Sequence, residues 1–190
     1  MICKPRSIRE LGSVDLSALM PLVDAIPEDI WNEENSRKEN RFFCFSHTRH
    51  IVFRFMKGAD PRNSYSKPLW ETWKPHLLPI MEQVTEAYGY SVRAYPKVML
   101  ARLEAGHEID RHRDAGPSNY LTHKIHVPLQ TNSEARMYIR PDYHHLRVGQ
   151  AYELNNVISH GVENHGKTDR IHLIFECFDP TAVNVPCEAA

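Results

Sequence analysis

The chain has 190 residues, of which 42% are hydrophobic and 25% are charged, and its formal net charge is −1. This length predicts one domain whose core is large enough to fold without structural metals or a disulfide scaffold. A balanced charge produces no broad electrostatic field, which argues against nucleic acid or an anionic membrane as a partner. Widely spaced cysteines and the lack of an apolar run of about 18 residues predict a cytoplasmic protein with reduced thiols.

Helical and strand patterns are mixed within the first 95 residues. Residues 14–25 have apolar side chains at helical spacing, whereas residues 49–55 are rich in β-branched and aromatic side chains and predict a strand. Residues 64–90 predict a helix with one apolar face, which we expect Pro75 and Pro79 to interrupt. This part of the chain carries no recognisable motif, and we interpret it as a supporting region.

The pattern changes at residue 96, after which short β-rich segments alternate with turn residues. Helices followed by such strands predict a mainly β fold with flanking helices, in the form of a sandwich or barrel. We expect a single domain at 1–190, with a helical or mixed support region at 1–95, a β core at 96–180 and a tail at 181–190. The β-rich segments are 97–105, 124–130, 135–140, 150–154 and 170–178.

The segment "KIHVPLQ" at 124–130 has one apolar face and one polar face. Successive side chains of a strand point to opposite sides, so Lys124 and His126 share the polar face. A polar face of this kind usually meets water. A cation and an imidazole on one face would also suit the lining of a polar pocket.

Residues 106–119, "GHEIDRHRDAGPSN", concentrate ionisable side chains and contain His112 and Asp114 two positions apart. On an extended chain, side chains at this spacing point to the same side, so an imidazole nitrogen and a carboxylate oxygen can reach one metal ion. Two histidines and one carboxylate on one face of an octahedron are the ligands of non-haem Fe(II) oxygenases. A His-x-Asp pair alone is common by chance, so a third ligand is needed.

The third ligand and a further charged residue lie in residues 152–176. His160 lies between strand-like apolar residues, and Arg170 follows ten positions later at the start of an apolar strand. An arginine at that position needs a partner, and a bidentate pair with a carboxylate is one. His-x-Asp, a distal histidine and this arginine have the order and spacing typical of a double-stranded β-helix dioxygenase that uses 2-oxoglutarate.

Together these motifs resemble the aspartyl/asparaginyl β-hydroxylase family of Fe(II)/2-oxoglutarate oxygenases, over residues 96–180. The matching segments are "HRDAGPSN", "KIHVPLQTN", "GQAYELNNVISHGVEN" and "DRIHLIFE". The resemblance implies a double-stranded β-helix, which is a distorted, cupin-like jelly-roll barrel. It also implies Fe(II), 2-oxoglutarate and O2, with a hydroxylated amino acid as the product.

Residue by residue, the resemblance carries the iron ligands onto His112 and His160. Because Asp114 is present, the chain is similar to the branch of the family that has a complete His-x-Asp…His triad. That branch includes hydroxylases of free amino acids such as proline. The expected substrate is therefore an amino acid, either free or within a peptide or protein.

The resemblance also carries 2-oxoglutarate contacts onto Arg170 and His126, with Lys124 in place of a more usual arginine. These residues distinguish an oxygenase from two rivals. A non-catalytic, cupin-like metal-binding or sensor module has no need of Arg170 in a pocket. A zinc hydrolase needs a general base beside the metal and no clamp for a keto acid.

Other residues compete for a role in the site. His107 has no carboxylate two positions later and is interpreted as a strand-edge residue, and His165 lies in a predicted exposed turn. His172 alternates with Arg170 along its strand, so it can line the pocket or lie outside it. Asn156 is interpreted as part of a bend before the next strand.

Overall fold

The computed structural model describes residues 2–39 and 41–182. The helices in these ranges are α1 (Met20–Asp24), α2 (Glu28–Ser36) and α3 (Leu69–Thr85), and none of them is long and apolar enough to span a membrane. The strands are β1 (Ile8–Ser13), β2 (Thr48–Met56), β3 (Ser64–Ser66), β4 (Val98–Leu103), β5 (His107–His112), β6 (His123–Gln130), β7 (Ala135–Ile139), β8 (Asp142–His144), β9 (Gln150–Leu154), β10 (His160–Asn164) and β11 (Arg170–Cys177). Short 3₁₀ turns lie at Phe43–Phe45, Glu86–Tyr88 and Pro117–Tyr120.

The strands pair in antiparallel fashion and form two sheets. The larger sheet has the order β1-β9-β6-β11-β4-β2-β3, and the smaller sheet has the order β5-β10-β7-β8. Both sheets contribute to one apolar cluster, which contains Leu103 of the larger sheet and Ile139 and Val162 of the smaller one. Two antiparallel sheets packed in this way form a jelly roll, so the mainly β fold predicted from the sequence is confirmed.

Helices cover the other face of the larger sheet. The main core contains Leu77 and Met81 of α3, and both side chains are fully buried. It also contains Ile125 and Val127 of β6 and Phe175 of β11. Burying one large apolar side chain contributes about 1.5–3 kcal/mol. This apolar face anchors the sheet, so the opposite face can carry polar side chains.

Helix α3 runs without a break through Pro75 and Pro79, so the interruption predicted from the sequence is wrong. Each internal proline removes an intrahelical hydrogen bond at a cost of about 3 kcal/mol. Both prolines lie on the exposed side of the helix, where water can hydrate the carbonyl groups left without a donor. Burial of Leu77 and Met81 offsets the cost. Residues 64–66, also expected to be helical, form β3 because they pair with β2.

Strands from the first 95 residues belong to the larger sheet. Strand β1 pairs with β9, and β2 pairs with β4. The sheet therefore crosses the division that we expect at residue 96. The division into a support region, a β core and a tail stays a prediction, and residues 183–190 of that tail lie outside the described ranges.

The cysteines differ from the sequence prediction. Cys3 is disulfide-bonded, whereas Cys44 and Cys177 are free. Cys187 lies outside the described ranges. The expectation that all the thiols are reduced is therefore wrong.

Gly161 lies where β10 comes close to β5, and a β-carbon at this position would lie 2.8 Å from the carbonyl oxygen of Ile109. We predict that Gly161→Ala forces the two strands apart and lowers the free energy of unfolding by about 1–3 kcal/mol. Urea denaturation measures this loss. The matched control is Glu108→Ala on the paired strand β5, whose exposed side chain makes a change below about 0.5 kcal/mol the expected result. An equal loss in both variants would contradict the steric explanation.

Candidate metal centre and its cavity

Two histidines face each other in the smaller sheet. His112 is the last residue of β5, His160 is the first residue of β10, and they are direct partners in the antiparallel register. Asp114 follows two positions after His112, and its backbone N–H donates to the carbonyl oxygen of Asn156 at 3.0 Å. One ligand atom from each of His112, Asp114 and His160 lies within 4.8 Å of the other two. The structure therefore brings the three predicted metal-ligating residues together.

Backbone carbonyl groups determine which ring nitrogen of each histidine is free. The Nδ1 atom of His112 is 2.7 Å from the carbonyl oxygen of Asp110, and that of His160 is 3.0 Å from the carbonyl oxygen of Ile158. Since a carbonyl oxygen only accepts, both Nδ1 atoms carry a hydrogen. Burial lowers the pKa of His160 despite the opposing effect of Asp114, so its ring is neutral. The Nε2 atoms keep free lone pairs, which is the form that binds a metal.

The carboxylate of Asp114 is held on one side and free on the other. Its Oδ2 atom accepts a 2.9 Å hydrogen bond from the side-chain amide of Asn156 and lies 3.9 Å from the ammonium group of Lys124. Burial would raise the pKa of Asp114, but Lys124, His160 and Asn156 outweigh burial and lower it. The Oδ1 atom of the ionised group lies 3.8 Å from the Nε2 atom of His112 and is the oxygen available to a metal.

Asn156 is the centre of a buried hydrogen-bond network that the sequence did not predict. Its side-chain amide donates to Asp114 and to the Oδ1 atom of Asn119, each at 2.9 Å, and its Oδ1 atom accepts from the ammonium group of Lys4 at 2.7 Å. Burial lowers the pKa of Lys4 to about 8. Both N–H groups of the amide are used, which fixes its orientation. No local pattern marks Lys4, because its contact with Asn156 spans 152 positions.

His112, Asp114 and His160 open into a cavity of about 620 Å³ lined by both sheets. Lys124 and His126 of β6 and Arg170 of β11 lie in its wall. Their apolar neighbours on β6, Ile125 and Val127, belong to the core on the opposite face, as the alternating pattern predicted. All six side chains singled out as site residues in the sequence therefore line one cavity.

Arg170 is a buried cation with no carboxylate within ion-pair distance in the described part of the chain. Its Nη2 atom donates a 2.9 Å hydrogen bond to the Nδ1 atom of His172. Burial lowers the pKa of Arg170 to about 9, so the guanidinium is still charged at neutral pH. A buried charge without a partner is costly, and this one suits an anionic ligand that enters the cavity.

Two uncharged histidines adjoin this arginine. Burial lowers the pKa of His126 and of His172 well below the ordinary value, and the charge of Arg170 adds to both shifts. The Nδ1 atoms of the two rings are 3.4 Å apart. His126 lines the cavity, but His172 lies outside its wall and accepts the hydrogen bond from Arg170. The sequence left this role of His172 open.

Lys124 keeps its charge although most of its side chain is buried. Burial would lower its pKa, but the carboxylates of Glu176 and Asp114 reverse this effect and raise it. The Nζ atom lies 3.6 Å from Glu176 and 3.9 Å from Asp114. Lys124 therefore adds a stable positive charge beside the carboxylate of Asp114.

The competing histidines lie away from this cavity. His165 has 63% of its side chain exposed and lies 3.6 Å from Glu163. His107 is at the other end of β5 from His112, where it forms a separate cluster with His47 and Glu104. Neither one contributes to the wall of the cavity.

The sequence matches the aspartyl/asparaginyl β-hydroxylase family over residues 68–180. This match spans more than half of the chain and contains all six site residues. The protein therefore belongs to that family, and its class is that of 2-oxoglutarate-dependent hydroxylases, which use Fe(II) and O2. No curated protein matches the chain.

Solved structures with a similar fold include three oxygenases. An oxidoreductase of the 2OG-Fe(II) oxygenase family from Burkholderia pseudomallei has 14% identity and a TM-score of 0.53, covering 69% of this chain and 66% of that one, so this chain spans just under two thirds of it. The collagen prolyl hydroxylase of Paramecium Bursaria Chlorella virus-1, solved with 2-oxoglutarate, has 10% identity and a TM-score of 0.53. The match covers 93% of this chain and 98% of that one. A prolyl-4-hydroxylase from Pseudomonas putida has 10% identity and a TM-score of 0.51, and the match covers 91% of this chain and 92% of that one. These similarities confirm the double-stranded β-helix.

The side chains of the site fit the groups that this family uses. Two imidazole nitrogens and one carboxylate oxygen that can reach one ion are the donor set of a non-haem Fe(II) site. The buried guanidinium of Arg170, which lacks a carboxylate partner among the described residues, fits one end of a dicarboxylate such as 2-oxoglutarate. The donors and the charge of the cavity are therefore compatible with both groups.

We predict that Asn156→Ala weakens Fe(II) binding by about 10–100-fold, the usual effect of losing a group that orients a metal ligand. The substitution removes the side-chain hydrogen bond that holds Asp114 and takes away one of the two acceptors of the Lys4 ammonium group, which keeps the carbonyl oxygen of Thr122. Equilibrium dialysis against Fe(II) in the absence of oxygen measures the affinity.

The matched control for this prediction is Asn155→Ala. The neighbouring side chain of Asn155 bonds to backbone groups of Pro5 and Val157 and makes no contact with Asp114. We expect this variant to keep the wild-type affinity. If Asn156→Ala also kept it, the orienting role of Asn156 would be excluded.

Proposed function

We propose that the protein hydroxylates an unactivated C–H bond of an amino acid, either free or within a peptide or protein. Aspartate, asparagine and proline side chains are the candidate targets. In this proposal His112, Asp114 and His160 are the iron ligands and form a complete His-x-Asp…His triad. The observation that carries it is that these three donors share one cavity with a buried arginine that has no carboxylate partner among the described residues.

Three further residues bind 2-oxoglutarate in this proposal. Arg170 forms a bidentate pair with the carboxylate of 2-oxoglutarate that is remote from the iron, and this pairing offsets the cost of burying the guanidinium. Lys124 adds a second positive charge that favours a dianionic co-substrate. His126 is uncharged, so it can form a hydrogen bond in the same cavity without adding to the repulsion between cations.

With O2 as the oxidant, a bound Fe(II) would supply the chemistry that converts a C–H bond into an alcohol with one oxygen atom, while the other oxygen atom enters the succinate formed from 2-oxoglutarate as CO2 is lost. The protein positions the reactants and limits the access of water. His112 and His160 present Nε2 atoms because carbonyl groups hold their Nδ1–H groups. Apolar side chains in the cavity wall, among them Met99 and Val162, reduce the volume available to water.

The cavity wall also contains a carboxylate oxygen that lacks a donor. Glu39 lines the cavity, and its Oε1 atom accepts a 2.9 Å hydrogen bond from Tyr65 and lies 3.4 Å from the Nζ atom of Lys67. Its Oε2 atom is buried and has no hydrogen-bond partner among the described residues. Buried polar atoms normally have such a partner. We propose that the Glu39 side chain turns this oxygen toward the cavity when substrate binds and that an ammonium or amide N–H group of an amino acid or peptide donates to it.

We predict that His112→Ala, Asp114→Ala and His160→Ala each abolish turnover, because every one of them removes a ligand from a three-ligand site. The measurement is succinate release over a panel of free amino acids and peptides, with mass spectrometry for the gain of one oxygen. His165→Ala is the control and stays active, since this exposed side chain lies outside the cavity. Wild-type turnover and iron affinity in Asp114→Ala would refute the triad assignment.

Arg170→Lys keeps the positive charge but loses the planar fork that forms two parallel hydrogen bonds. A hydrogen bond to a charged group contributes about 1.5–3 kcal/mol, and about 1.4 kcal/mol corresponds to a factor of ten. We predict that the apparent KM for 2-oxoglutarate rises by about tenfold to a hundredfold. Iron stoichiometry stays unchanged, because Arg170 is not a ligand in this proposal.

Two results would contradict this role of Arg170. An unchanged dependence of succinate formation on 2-oxoglutarate would remove the residue from the co-substrate site. A simultaneous loss of iron would mean that the substitution had disrupted the barrel.

Glu39→Gln keeps the size of the side chain and removes its charge. We predict that the KM of the substrate identified in the panel rises by about tenfold, from the loss of one charge-assisted hydrogen bond, while the KM for 2-oxoglutarate is unchanged. Glu71→Gln, at an exposed position of α3, is the control and leaves both constants unchanged. An unaltered KM for the substrate in Glu39→Gln would exclude this contact.

A further inference from the structure

A second cluster of metal-ligating side chains lies outside the cavity. It consists of His47, Glu104 and His107, and one ligand atom of each lies within 4.8 Å of the other two. We propose that this cluster is a separate binding site for a divalent transition-metal ion. Zn²⁺ suits it best, because two imidazoles and one carboxylate are common zinc ligands and leave a fourth position for water. The proposal does not depend on the proposed function.

The backbone holds the three residues close together. The backbone N–H of Glu104 donates to the carbonyl oxygen of His47 at 3.2 Å, which continues the pairing of β2 with β4. Gly106, with a φ of 75°, turns the chain between Glu104 and His107. Asp169 accepts a 2.9 Å hydrogen bond from the backbone N–H of residue 105 in the same turn. The backbone positions of the three residues are therefore set before any ion binds.

Both imidazoles direct a nitrogen toward the same carboxylate oxygen. The Nδ1 atom of His47 lies 3.9 Å from the Oε2 atom of Glu104, and the Nε2 atom of His107 lies 4.0 Å from it. The two rings are stacked, with centroids 3.8 Å apart and an interplanar angle of 10°. Because the lone pairs of an imidazole lie in the ring plane, a bound ion would turn the two rings out of this stack, so that each ring directs one lone pair at the ion.

Glu104 has one oxygen available for an ion. The other oxygen, Oε1, is paired with Arg49. It lies 2.8 Å from the Nη2 atom of Arg49 and accepts a 3.1 Å hydrogen bond from the Nε atom. The nearby Arg102 is paired with Glu28 and Asp169. Two arginines therefore face three carboxylates, and the excess of negative charge favours a cation. Arg49 also orients the carboxylate, as a hydrogen-bond partner behind a metal ligand usually does.

The cluster is open to solvent and adjoins a wall of the cavity. The side chains of His47, Glu104 and His107 are 48%, 30% and 40% exposed, so an ion can reach them from solution. His107 and His112 lie at opposite ends of β5, about 17 Å apart at the rise of an extended strand. His47 follows closely after Phe45, which lines the cavity. A bound ion would therefore tie the cavity wall near Phe45 to the strand that carries His112.

The second site is measured alone in the double variant His112→Ala/His160→Ala, which lacks two ligands of the first site. Equilibrium dialysis of the full-length variant against Zn²⁺ is expected to give about one bound ion per chain. Adding His47→Ala or His107→Ala to the double variant is expected to abolish this binding. Adding His165→Ala instead is expected to preserve it, because His165 has a nearby carboxylate but no second histidine.

Circular dichroism of each variant distinguishes loss of the site from loss of the fold. If an alanine variant is unfolded, His107→Gln replaces it, because glutamine keeps a polar side chain but lacks the imidazole donor. The proposal is overturned if the double variant binds no Zn²⁺. It is also overturned if binding survives the loss of His47 and of His107.

Discussion

The antiparallel pairing of β5 with β10 sets the spacing on which the rest of the site depends. It places His160 directly opposite His112 in the register, and Gly161 permits the close approach of the two backbones next to this pair. A slip of one residue would turn His160 to the other face of the sheet, because side chains alternate along a strand. The backbone of the smaller sheet, rather than the flexibility of the side chains, therefore determines how far apart the two imidazoles lie.

The larger sheet separates an apolar face from a charged one. Its β6 strand buries Ile125 and Val127 against the helices and directs Lys124 and His126 into the cavity. Lys124 is stabilised by two carboxylates, whereas Arg170 has none among the described residues. Leaving one buried guanidinium without a carboxylate lowers stability, and the apolar core offsets that cost. Such a local conflict between stability and charge is typical of a binding site.

The segment before the family match contributes to the carboxylate without a donor and to the second metal cluster. Glu39 and His47 precede residues 68–180, over which the chain matches the family. Glu39 supplies the unpartnered oxygen in the cavity wall, and His47 is part of the second metal cluster. Members of one fold differ in function through the side chains placed around a shared scaffold. Properties particular to this protein are therefore expected to depend in part on this segment, together with Glu104 and His107 of the second cluster.

The sequence by itself indicated five of the strands after residue 96, because period-two alternation is a local property of the chain. Ligand spacing together with the family resemblance indicated six residues that line one cavity. Only the tertiary structure decided that α3 continues through its prolines, since burial of its apolar face offsets a local penalty. It also decided that Lys4 and Asn156 hold Asp114 and that His172 supports Arg170. These contacts depend on packing and strand register, and the one between Lys4 and Asn156 joins positions so distant along the chain that no local pattern encodes it.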